Sequence, residues 1–195
     1  MSVQISREQS ELQLDAFKMQ LSPHFLFNNL NTLSHLIYQS PSTTEKYIRN
    51  LAKTYDYILK NSHLDLVPLQ EEITFIKAYS YLLNIRFQDS LDISIEAGET
   101  ETNYLLPPLS LQLLVENAVK HNAASPNEKL NVVLKLDKNY IEVKNNMLKP
   151  PKNLISSKVG LKNLKKRYSF FTEKLVEILI NEYFIVRVPL IRKHG

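Results

Sequence analysis

Up to residue 90 the apolar positions recur at helical spacing, whereas from residue 91 onward stretches of period two appear. Leu12, Leu14, Phe17 and Leu21 predict a helix over 3–21, and Phe27, Leu30, Leu33, Leu36 and Ile37 a second over 23–39. Pro23 cannot continue the first helix and biases Ser22 away from helical angles. Ser22 is therefore expected as the N-cap of the second helix, with Pro23 in its first position. The run Ser40-Pro41-Ser42-Thr43 ends that helix, and Ser42 or Thr43 is expected to cap a third over 44–61, with Tyr47, Leu51, Tyr55 and Ile58 on one face. A fourth over 67–88 turns Ile73, Ile76, Tyr79 and Leu83 inward.

The second half reads as strands over 91–96, 130–136 and 140–145, helices over 109–122 and 159–171, and a closing hairpin of 175–180 with 184–190 about Asn181-Glu182. Such a mixture predicts an α+β chain: a helical hairpin in residues 1–90, then a two-layer sandwich in 91–195 with helices on one face of a mixed sheet. A hairpin of two apolar-faced helices does not bury its stripe alone. Either a second copy completes a four-helix bundle, making a homodimer, or the sandwich covers the stripe.

Composition adds a few constraints. With 195 residues, 44% hydrophobic and 23% charged, the chain is that of a folded protein, and the lack of cysteine excludes disulfides and thiolate metal sites. No apolar run reaches the length of a membrane span, and the start lacks the pattern of an export signal. Charge is uneven: residues 1–97 hold 8 Lys/Arg against 11 Asp/Glu, net −3, whereas 98–195 hold 16 against 9, net +7. A polyanion therefore suits the second half. Direct nucleic-acid binding ranks low, because its lysines are dispersed instead of forming one aromatic-interleaved patch.

Two stretches carry candidate chemistry. In Gln20-Leu21-Ser22-Pro23-His24-Phe25-Leu26-Phe27-Asn28-Asn29-Leu30-Asn31, His24 falls in the first turn of a helix, whose positive end keeps the imidazole neutral and attracts a phosphoryl group. His24, Asn28 and Asn31 share a polar stripe, while Phe25, Phe27 and Leu30 can turn toward a core. The bland alternative is a hydrogen-bonded core histidine. In the helix over 109–122, Leu113, Leu114 and Ala118 can pack inward while Glu116, Asn117, Lys120 and His121 cluster at one edge. Hard oxygens for magnesium beside positive charge for phosphate suit a Mg-triphosphate. For Glu116 and Lys120 alone, an i, i+4 salt bridge on a solvated face is the simpler explanation.

These stretches also carry a resemblance. Residues 20–31 resemble the phosphoacceptor box Q-I-x-P-H-F-L-F-N-x-L-N of the LytS-like sensor histidine kinases, and Val115 to His121 match their V-E-N-A-x-K-H box in full. Residues 159–167 resemble the G-x-G-L-x-N-x-x-x-R lid segment, with Lys158 in place of the first glycine. The opening Leu69-Gln70-Glu71-Glu72 and the later Arg86-Phe87 pair fit the family, whereas Asp56-Tyr57 stands where an arginine-tyrosine pair is usual. The aspartate-x-glycine motif is missing, and Asn145 aligns best with its aspartate.

The resemblance implies a GHKL (Bergerat) ATP-binding sandwich in a bacterial two-component kinase. In it His24 takes the γ-phosphoryl group of ATP and a response regulator aspartate then collects it; the regulator is often a DNA-binding one. It further implies that Asn28 orients the imidazole, that Glu116 polarises the acceptor, that Asn117 ligates Mg2+, and that Lys120 and His121 lie by the phosphates and ribose. Asn145 would accept from the adenine amino group, and Gly160, Leu161 and Asn163 belong to the lid segment. The implied setting is cytoplasmic, as part of a membrane sensor whose membrane segments lie outside this chain. The changes at Asn145 and Lys158 leave a second expectation, a degenerate pseudokinase that signals as a dimeric scaffold.

Overall fold

The computed structural model describes residues 23–96, 103–151 and 159–192. The helix expected over 3–21, the N-cap Ser22 and Lys158 lie outside these residues. Helix α1, Pro23–Gln39, and helix α2, Pro41–Asn61, form the expected hairpin. The cap between them differs from expectation. Ser40, not Ser42 or Thr43, is the N-cap, its Oγ accepting from the Thr43 amide at 3.3 Å, and Pro41 opens the helix. Proline is favoured in that position because it has no N–H left to satisfy.

Strand β1, Val67–Pro68, leads into helix α3, Leu69–Phe87, and a 3-10 turn, Gln88–Ser90, leads into strand β2, Leu91–Glu96. Strand β3, Tyr104–Leu106, precedes helix α4, Ser110–His121; strands β4, Leu130–Leu136, and β5, Tyr140–Asn146, precede helix α5, Val159–Ser169. The chain then forms β6, Glu177–Ile180, β7, Tyr183–Pro189, and β8, Ile191–Arg192. The main sheet runs β2-β4-β5-β7-β6; β2 pairs β4 in parallel, from Leu91↔Leu130 to Glu96↔Lys135, and the other pairs are antiparallel. A mixed sheet backed by α4 and α5 is the α+β sandwich expected of 91–195, and α3, expected in the helical region, joins them against the same sheet through Ile73, Ile76, Tyr79 and Leu83.

Alternation decides which face is dry. Leu91, Ile93, Leu130, Val132, Leu134, Ile141, Val143, Val186 and Val188 meet Ile73, Ile76, Leu114, Val115, Ala118 and Leu164 of the helices in one core. On the wet face Arg187 bonds Glu142 at 2.8 Å and lies 3.7 Å from Glu177. A second sheet, β1-β3-β8, escapes sequence reading because its segments are too short to show a period; it pairs Val67 with Leu106 and Tyr104 with Arg192.

Helix α3 serves all three apolar clusters. Its Ile73, Ile76, Tyr79 and Leu83 join the sheet core, Phe75 packs with Tyr57, Ile58 and Leu109, and Leu82 packs with Leu36 and Tyr47. Much of the hairpin stripe remains uncovered all the same. Phe27 is 64% exposed and Leu30 47%, contrary to the expectation that both face a core. No helix among the described residues is long and apolar enough to cross a membrane.

The candidate nucleotide and phosphoacceptor site

Helix α4 begins under constraint. Leu109, its N-cap, holds φ 65, a region costly for a branched residue. Three things hold it there. Leu109 is buried against Tyr57 and Phe75, its amide donates to Glu72 Oε2 at 2.9 Å, and the Leu111 amide donates to Glu72 Oε1 at 3.0 Å. The Tyr57 hydroxyl also donates to Glu72 Oε2. Arg167 of α5, buried nearby, donates to the Pro108 carbonyl at 3.0 Å. Burial pushes the Glu72 carboxyl up, against the opposing pull of these donors and of Arg167. Asp56, beside Tyr57, points to solvent and pairs with Lys60 at 2.9 Å.

A cavity of about 1040 Å³ opens along α4. Glu116, Asn117, Lys120 and His121 line it, together with Asn28 of α1, Asn145 of β5, and Gly160 and Leu161 in the first turn of α5. Asn163 is not among the lining residues. His24 occupies the first turn of α1, and its side chain lies outside the described residues. Its sequence neighbour Phe25 is also in the wall, its ring stacked on Tyr79 with centroids 5.8 Å apart and an interplanar angle of 27°. Asn31, expected on the reactive stripe, is exposed. Asn29 is committed to structure, accepting from the Tyr47 hydroxyl at 2.6 Å and donating to the Phe25 carbonyl at 2.7 Å.

The electrostatics of the cavity separate its parts. Glu116 Oε1 accepts from Tyr79 at 2.7 Å and from Gln112 Nε2 at 2.9 Å, so its hydrogen bonds are not those of the simple surface pair with Lys120. Burial raises the Glu116 carboxyl, opposed first by Gln112 and Tyr79 and then by the charge of Lys120. Burial and then the Lys120 charge lower the His121 pKa, which favours the neutral imidazole. Leu113, expected inward, is only half-buried and lines the cavity. Gly160 has no positive φ, and a Cβ there would meet only Leu113 at 3.9 Å. Its lack of side chain therefore matters for the cavity, not for the protein's own packing. Asn145 is 3% exposed and donates through Nδ2 to the Asn146 carbonyl at 2.7 Å.

Sequence reasoning missed several wall residues. Arg86, Lys162 and Lys165 bring positive charge, and Leu148, Ile178 and Phe184 supply an apolar wall. Tyr79 was legible only as an inward residue, although a hydroxyl on an otherwise aliphatic stripe signals a polar partner. Among the described residues no cluster of three or more His, Cys, Asp or Glu is arranged to hold a metal. A divalent ion here would take Asn117 from the protein and most of its oxygens from a bound phosphate chain, as magnesium commonly does.

The chain is similar to several known proteins. The family model described as "Histidine kinase" matches residues 12–91. An "uncharacterized sensor-like histidine kinase" of Staphylococcus epidermidis is 35% identical over 141 residues, 72% of this chain and 27% of that protein. "Sensor protein kinase HptS" of Staphylococcus aureus is 35% identical over 131 residues, 67% of this chain and 24% of that protein. The chain thus spans about a quarter of the length of these relatives. Among solved structures, the catalytic domain of histidine kinase ThkA is similar with a TM-score of 0.41 and 18% identity, covering 64% of this chain and 94% of that one.

Proposed function

The chain belongs to the sensor histidine kinase family, and from that premise we propose that it binds ATP in the α4 cavity and transfers the γ-phosphoryl group to His24. The observation that carries this reading is the convergence in one cavity of Asn28, one turn beyond His24, with Glu116, Asn117, Lys120 and His121. Arg86, Lys120, Lys162 and Lys165 give the cationic lining a triphosphate needs, and the apolar wall by Leu148 and Phe184 suits a stacked base. Asn145, its amide turned by the Asn146 carbonyl, keeps its oxygen for an amino donor on that base. A magnesium ion held by Asn117 would neutralise charge on the phosphates.

In this reading the neutral His24 ring supplies the electron pair that forms the new N–P bond, and the bond to the β-phosphate oxygen breaks as ADP leaves. Asn28 orients the imidazole, and the Glu116 carboxylate takes the ring proton. A response regulator aspartate then accepts the group. Residues 1–90 act as the dimerisation and acceptor region and 91–195 as the ATP-binding region, with α3 packed against both.

Incubation of the chain with γ-labelled ATP and magnesium tests the central claim. His24→Gln is expected to abolish incorporation while nucleotide affinity stays intact, and label that survives the substitution excludes His24 as acceptor. The exposed Phe27, Leu30, Ile37 and Tyr38 support a homodimer through the hairpin. Phe27→Glu is expected to shift the sedimenting species to monomer, and a wild-type chain that sediments as monomer at all concentrations rejects that interface.

A further inference from the structure

Nothing in the phosphotransfer reading explains why the acceptor helix and the α4 carboxylate meet at one side chain. Tyr79 is 2% exposed and lies on α3, between α1 and α4. Its ring stacks on Phe25 and stands 6.1 Å from the Phe75 ring, while Phe25 also rests against Tyr55 at 5.9 Å. Its hydroxyl reaches Glu116 Oε1 at 2.7 Å, across 37 residues of chain. Gln112 donates to the same oxygen, so both donors hold one edge of the carboxylate. Burying a phenol among aliphatic residues costs stability unless its hydroxyl finds a partner, and here the partner is a reacting group.

We infer that Tyr79 is a positioning residue that joins the two halves of the site, its ring seating the residue after His24 and its hydroxyl holding the Glu116 carboxylate in register. The inference rests on the proposed transfer to His24. Its two arms are separable: the hydroxyl acts through the Glu116 carboxylate, and the ring acts through Phe25 on where the acceptor turn sits.

The experiment uses the whole chain and two variants, Tyr79→Phe and Phe25→Leu, each with and without Glu116→Gln. Tyr79→Phe is expected to lower the autophosphorylation kcat about tenfold with KM for ATP unchanged, and to cost nothing further in a chain that already carries Glu116→Gln, because the hydroxyl acts through that carboxylate. Phe25→Leu is expected to lower kcat by the same factor with and without Glu116→Gln. Losses expressed in KM alone, or a Tyr79→Phe loss as large with Glu116→Gln as without it, overturn the inference. A wild-type chain that never labels His24 sinks the transfer reading instead, and the coupling of Tyr79→Phe with Glu116→Gln in denaturant unfolding still decides whether Tyr79 holds Glu116.

Discussion

Two carboxylates, Glu72 and Glu116, both receive a tyrosine hydroxyl from a neighbouring helix, yet their settings differ. Glu72 is fully buried, and three donors divide over its two oxygens: Tyr57 and the Leu109 amide on Oε2, the Leu111 amide on Oε1. Glu116 is half-buried, takes both its donors on Oε1 and borders the large cavity. The first has little acceptor capacity left and serves as a bolt at the start of α4; the second, two turns along the same helix, takes both donors on one oxygen. Burial raises both carboxyls. What separates the two is how many acceptor positions the fold consumes.

The comparison breaks most visibly at Glu72. Glu72→Ala orphans two α4 amides and the Tyr57 hydroxyl and leaves Leu109 in a strained conformation without its anchor. A loss of about 3–5 kcal/mol is expected in denaturant unfolding, and a loss under about 1 kcal/mol would mean the bolt is not needed.

Glu116→Gln should do the reverse. Phosphorylation of His24 is expected to fall about a hundredfold or more, the scale of a lost proton acceptor, while the unfolding midpoint holds or rises because a buried charge is removed. A comparable loss of stability would place Glu116 in the same class as Glu72.

The pH dependence sharpens the contrast. Because the folded-state pKa of Glu116 is raised above 4.5, its contribution to stability is fully present below that value and is lost as pH rises through the folded pKa. Its carboxylate, and with it the proposed proton acceptance, forms over that same rise. Unfolding curves and labelling rates measured across this window should therefore trend in opposite directions, and Glu116→Gln should remove its share of both trends.

At the small end, Asp56→Ala removes an exposed pair with Lys60 one residue from the Tyr57 bolt. A change under about 0.5 kcal/mol is expected by thermal unfolding, and a larger one would extend the bolt to the surface.

Much of this was legible in the sequence. Helical spacing located α1, α2 and α3, alternation located β2, β4 and β5, and the cluster Glu116, Asn117, Lys120 and His121 was readable because neighbouring residues on one helix face need no tertiary knowledge. Local pattern misled where a partner was distant. Phe27 and Leu30 have the spacing of core residues but remain exposed in a single chain, since the pattern marks an apolar face without stating what covers it. Asn29 has no distinguishing signal in Asn28-Asn29-Leu30-Asn31, yet it is the buried partner of Tyr47.

The sequence by itself determined the long helices, the strands of the main sheet and which polar residues share a helix face, because side-chain period acts within a few positions. Only the tertiary structure decided that Tyr57 meets Glu72, that Tyr79 spans from Phe25 to Glu116, that Arg167 reaches Pro108 across 59 residues, and that β1, β3 and β8 close a second sheet. Those pairings join groups far apart in the chain, and a hydrogen bond made across such a distance leaves no trace in the spacing of either partner.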